Sequence, residues 1–197
     1  MASFSIHLAV AKRYLDKWQI NDEMAFYKGA IAPDFSDDKR KSHYSGTYND
    51  DLRNNLSNKV RLNEYLKANV VDNEYKIGVF LHLVTDYLFF NNFFDESIIN
   101  RFGFQEFFKN IYYSYDVICD DVIERYELGE VIEGMPELAE NIENKRKQVL
   151  QSTEGLENLL PMDRLNQFIE YVSDVDLTHY INMISAANDN IMPEDYK

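Results

Sequence analysis

The residues of this chain best suited to chemistry are His7, Asp34, His43, His82 and Asp86. His82 and Asp86 sit in the run G-V-F-L-H-L-V-T-D-Y-L-F-F-N-N-F-F-D, from Gly78 to Asp95, which is apolar almost throughout and predicts a buried helix. At i and i+4 the imidazole and the carboxylate project from one face, about one turn apart. Burying a carboxylate is costly unless it is paired or holds a metal. A hydrogen-bonded core pair is the plain alternative for these two residues taken alone. A mixed His/carboxylate set without thiolates suits zinc, and also iron or manganese. Four such ligands could close one site, and Asp86 could reach a second ion through its other oxygen. Two ions roughly 3.5–4 Å apart are the usual device for phosphoester hydrolysis.

Composition narrows the alternatives. At 197 residues the chain predicts a single domain, and 45% apolar residues are ample for a core. A formal net charge of −14 argues against nucleic acid and anionic membrane surfaces as partners. The single cysteine, Cys119, excludes an intrachain disulfide and any zinc site built on several thiolates. No basic n-region precedes a sustained apolar core at the N-terminus, and no apolar run is long enough to span a bilayer. A cytoplasmic protein without stable membrane association is the expectation.

The elements that must position these residues read as all-α, about six to eight helices in one domain over 1–197. Ser3 or Ser5 could cap a first helix to about Trp18, with His7 in its first turn. Asn21 and Asp22 start a second helix that Gly29 ends, and Pro33 makes G-A-I-A-P-D-F a loop carrying Asp34. Ser36 to Asn49 is a polar excursion that delivers His43. Asp50 to Asn69 predicts one amphipathic helix, and Asn73 can cap the helix carrying His82 and Asp86, which runs to about Phe94. Further helices are expected from Tyr112 to Glu127, Pro136 to Thr153 and Met162 to about Ala187, before a polar, frayed tail over 188–197. Asp116 and Asp120 are i,i+4 on the Tyr112 helix. They have the spacing of added metal ligands, although one solvated helix face is the plain reading. His179, three residues after Asp176, reads as structural.

The order H-L-A-V-A-K, then G-A-I-A-P-D, then S-H-Y, then G-V-F-L-H-L-V-T-D resembles the zinc-dependent phospholipase C family, whose wider superfamily includes single-strand-specific zinc nucleases. The resemblance covers roughly residues 3 to 92. It implies an all-helical domain holding a zinc cluster at the bottom of a cleft. One zinc would be held by Asp34, His43, His82 and Asp86. A second would use His7 and share Asp86, and Asp34 would also act as general base. Asn92 stands where the family pattern has a further His, and no H-x-x-x-E occurs in the chain.

The expectation is therefore a zinc-dependent hydrolase of a small phosphate ester, using one to two ions and a metal-activated water. The competing reading is a non-enzymatic helical scaffold or binding protein that retains one structural metal site. A ferritin-like di-iron bundle would need paired E-x-x-H motifs, and an HD-type phosphohydrolase an adjacent His-Asp; both are missing from the sequence.

Overall fold

Helix α1 (Phe4–Leu15) starts where Ser3, in extended backbone, accepts the Ile6 N–H on its hydroxyl. Here, as throughout, the structure is a computed structural model, which describes residues 2–47, 51–148 and 153–192. α2 (Glu23–Ile31) is capped by Asp22, whose carboxylate accepts the Ala25 N–H at 2.9 Å. α2 runs through Gly29, where the sequence alone suggested an end, and a 3-10 turn over Ala32–Phe35 then carries Asp34. α3 (Lys39–Ser42) is one turn that delivers His43.

Two short helices, α4 (Leu52–Ser57) and α5 (Leu62–Ala68), replace the single one expected from Asp50 to Asn69; Asp50 itself lies outside the described residues. The break has a clear cause. The loop after His43 takes the carbonyls a continuous helix would use: the Gly46 N–H donates to Asn58 O at 2.8 Å and the Ser45 hydroxyl to Lys59 O at 2.6 Å. α6 (Glu74–Leu88) follows, capped by Asn73 as expected, and passes into a π turn over Phe89–Phe93. There the Asn91 side-chain amide donates to Tyr87 O at 2.7 Å.

α7 (Glu96–Ile99) leads into α8 (Phe104–Arg125), which begins earlier than Tyr112 and absorbs the aromatic stretch before it. α9 (Gly129–Glu133) and α10 (Pro136–Gln148) come next; the expected helical residues 149–152 lie outside the described set. The last predicted helix is two, α11 (Met162–Ser173) and α12 (Leu177–Ala187). Asp176 divides them: its carboxylate caps α12 by accepting the His179 N–H at 3.0 Å. The Asp176/His179 spacing is thus a helix start. Seven helices of nine residues or more carry the fold, and no strand occurs among the described residues.

α6 is the central element. Phe80, Leu81, Leu83, Val84 and Leu88 on it are all essentially inaccessible to solvent. It crosses α2 so closely that a Cβ on Gly29 would stand 2.0 Å from Tyr75 O, and one on Gly78 would stand 2.1 Å from Phe26 O. Only a residue without a side chain fits either position. From the π turn onward the core is aromatic: Phe89, Phe93 and Phe94 stack and cross with Phe107 and Phe168. Part of the expected frayed tail is tied down. The Asn190 side chain accepts the Asn63 N–H at 3.0 Å, and the Tyr180 hydroxyl donates to Ile191 O at 2.5 Å; residues 193–197 of that stretch lie outside the described set. Among the described residues no helix is long and apolar enough to cross a membrane.

Candidate metal centre

Four segments converge at the α2–α6 crossing. α1 brings His7, the 3-10 turn brings Asp34, the end of α3 brings His43, and α6 brings His82 and Asp86. All five side chains expected from the sequence meet here. His7, His43, His82 and Asp86 are at most 1% exposed, while the Asp34 side chain keeps 14%.

Backbone carbonyls fix which imidazole nitrogen faces inward. His82 Nδ1–H donates to Ala30 O at 2.8 Å, and His43 Nδ1–H donates to Lys39 O at 2.8 Å. A carbonyl only accepts, so both Nδ1 atoms carry the proton, and in the neutral ring the Nε2 atom presents a lone pair. Those two Nε2 atoms stand 3.0 Å apart. Asp86 Oδ2 lies 3.3 Å from His43 Nε2 and 3.7 Å from His82 Nε2, and Asp34 Oδ1 lies 3.8 Å from His43 Nε2. Tetrahedral ligands bonded at about 2.0–2.1 Å stand roughly 3.3 Å from each other. Asp34, His43 and His82 form one group whose ligand atoms all lie within 4.8 Å of one another, and Asp86 joins His7 and His82 in another.

His7 lies against the other carboxylate oxygens. His7 Nε2 is 3.5 Å from Asp86 Oδ1 and 3.9 Å from Asp34 Oδ2. The His7 ring stacks on His82 with centroids 3.6 Å apart. The Ala2 N–H donates to Asp86 Oδ1 at 2.5 Å, so that oxygen is already engaged by the backbone.

The polar ledger of this interior is out of balance. Both nitrogens of His7, Asp34 Oδ1 and Asp86 Oδ2 are buried without a hydrogen-bond donor or acceptor. Each such atom costs about 1–3 kcal/mol when left unsatisfied. Divalent ions would satisfy the acceptors among them, and these buried His/Asp groups could hold one. The electrostatics agree. Burial, with the neighbouring His7, pushes the His82 imidazole well below its ordinary 6.5, which keeps it neutral and able to ligate. Burial alone would raise the Asp86 carboxyl, but nearby positive charge holds it well below the carboxylate range.

Asp34 is the member of the set that also opens to solvent. It lines a cleft of about 560 Å³ together with Phe4, Phe35, Lys39, Tyr115 and Ile142, among others. Burial, and then the charge of Asp86, pushes the Tyr115 phenol well above its ordinary value, so it faces the cleft as a protonated hydroxyl. Asp116 and Asp120, which the sequence offered as added ligands, line the same cleft from α8. They are exposed and do not belong to the groups of ligand atoms within 4.8 Å of one another.

Three participants had no signal in the sequence: the carbonyls of Ala30 and Lys39 and the amide of Ala2. They act through backbone atoms, and any residue type offers those. Compared with family models, with curated proteins and with solved structures, the chain matches none.

Proposed function

We propose that the chain is a zinc-dependent phosphoester hydrolase, its ion held by Asp34, His43, His82 and Asp86, with His7 completing a second position on the shared carboxylates. One observation carries the reading. Two imidazole nitrogens 3.0 Å apart, each backed by a carbonyl on the far side of its ring, need a shared proton or a metal ion between them, and the neighbouring carboxylates favour the ion. Zinc suits a ligand set of three imidazoles and two carboxylates at this spacing, and iron or manganese would use the same atoms.

An ion bound there supplies Lewis acidity toward a phosphoryl oxygen and activates water near neutral pH. The chain's own residues do the rest. His43 and His82 are held rigid by Lys39 O and Ala30 O. Asp34 alone of the set faces both the ligand cluster and the cleft. Its carboxylate is placed to orient a water and accept its proton. The buried faces of α1 and α6 exclude bulk solvent from the other side, which strengthens every charge interaction there.

The test is elemental analysis of the purified chain, followed by turnover of generic phosphate mono- and diesters with and without chelator. Bound zinc with chelator-sensitive turnover supports the proposal. Asp34→Asn is expected to lower kcat at least about a hundredfold, in the range of a lost general base. Stoichiometric metal without turnover across the panel would instead favour a structural ion that pins α1, α3 and α6 together.

A further inference from the structure

We infer that Lys39 is the residue that grips the substrate's phosphate, which makes α3 a specificity element as well as a support for His43. The inference rests on the hydrolase reading above for the identity of the anion. Its grounds lie in the make-up of the cleft.

Among the described residues lining the cleft, Lys39 is the sole cation, while Asp34, Asp116 and Asp120 are all acidic. In a chain of net charge −14, an anionic group entering that space meets repulsion from nearly every side. Lys39 supplies the countercharge on the same wall as Asp34. Its ammonium is also available. Lys17, Lys67 and Lys76 are each committed to a carboxylate at 2.8–3.1 Å, whereas Lys39 has no ion-pair partner among the described residues.

The backbone of Lys39 is held in place for such a role. Its carbonyl accepts His43 Nδ1–H at 2.8 Å, the His43 N–H at 3.2 Å and the Ser42 hydroxyl at 3.2 Å. Asp38 caps the turn by accepting the Lys41 N–H at 3.0 Å. One residue therefore sets the tautomer of a ligand through its carbonyl and offers a cation to the cleft through its side chain. The ammonium cannot drift from the ligand cluster by more than its own side chain allows. A lysine is a point charge with three donors, suited to a phosphate oxygen without demanding a fixed orientation. The rest of the lining is largely apolar or aromatic, with Phe35 and Tyr112 well exposed and Leu138 and Ile142 buried. The substrate class that fits is an ester with one phosphate and an apolar or aromatic organic part. A polyphosphate would place added negative charge against Asp116 and Asp120.

The experiment uses the full chain loaded with zinc, as wild type, K39M and K39R. Inorganic phosphate is titrated calorimetrically into each, KM and kcat are measured with bis(p-nitrophenyl) phosphate, and zinc content is checked by elemental analysis. Removing one charged hydrogen bond is expected to weaken phosphate about tenfold in K39M and to raise KM by a similar factor. Zinc content should stay at the wild-type level, because the Lys39 carbonyl remains in place, and kcat/KM should fall at least about tenfold. K39R should restore both constants to within about threefold of wild type. Equal phosphate affinity in wild type and K39M overturns the assignment, and so does a wild type that binds no phosphate. Lys39-dependent phosphate binding without ester turnover keeps the assignment and removes the hydrolase reading. Turnover with Lys39-independent phosphate binding does the reverse.

Discussion

Gly78→Ala tests the whole geometry from a position that touches no ligand. A Cβ there would lie 2.1 Å from Phe26 O and 2.9 Å from Ala30 N. A carbon–oxygen contact needs roughly 3.3 Å, so α2 and α6 must part locally by roughly 1 Å. The bond from His82 Nδ1–H to Ala30 O, now 2.8 Å, would open past hydrogen-bonding range. Overpacking costs about 1–3 kcal/mol, and stranding the buried carbonyl adds about 1 kcal/mol. Against this, alanine in place of glycine in a helix interior gains at most about 1 kcal/mol. The net expectation is a loss of about 2 kcal/mol, or roughly 4–8 °C in Tm for a chain of this size. Zinc affinity should fall about 10- to 100-fold, because the ring loses the partner that sets its tautomer. The assays are thermal unfolding of the metal-free protein and zinc titration against a chromophoric chelator. Gly129→Ala is the control, since a Cβ there meets nothing within 4 Å. If Gly78→Ala proves as stable as wild type with unchanged zinc affinity, the account of the crossing and of His82 orientation is wrong.

His82→Ala should abolish stoichiometric zinc binding and lower stability by about 2–4 kcal/mol, since it leaves both a cavity and an unpaired carbonyl; full metal content in that variant would refute the centre. Asp116→Asn and Asp120→Asn, at exposed positions on the cleft wall, should leave zinc stoichiometry unchanged by elemental analysis, and loss of an ion in either would show that α8 ligates. The pH dependence of the metal-free protein follows from His82. Its folded value is pushed well below 6.5, so below that pH the unfolded chain takes up a proton that the folded chain refuses. Stability should fall as pH drops from 6.5, by up to about 1.4 kcal/mol per pH unit for this one group. Denaturant midpoints measured in steps between about pH 7.5 and 5.5, one unit either side of the ordinary histidine value, check this; a flat profile would show that His82 is not held neutral.

The residue types and their order determined the chemistry on offer. A carboxylate in an apolar helix at i+4 from a histidine, and two more histidines and an aspartate in a chain with four histidines in all, restricted the site to nitrogen and oxygen ligands. Capping chemistry was equally local: Ser3, Asp22 and Asn73 start α1, α2 and α6 through contacts three residues away. Where the sequence misled, the deciding contact came from a distant segment. The helix expected from Asp50 to Asn69 breaks because a loop near Ser45 takes its carbonyls. Gly29 continues a helix because α6 needs its bare backbone. The tertiary structure alone decided that Ala30 and Lys39 turn His82 and His43 inward, that Asp34 stands between the ligand cluster and the cleft, and that Asp116 and Asp120 stay on its wall. Side-chain identity specifies what a residue can donate or accept. Which partner it meets depends on backbone atoms that every residue shares, and only the packing of α2 against α6 brings those atoms to the site.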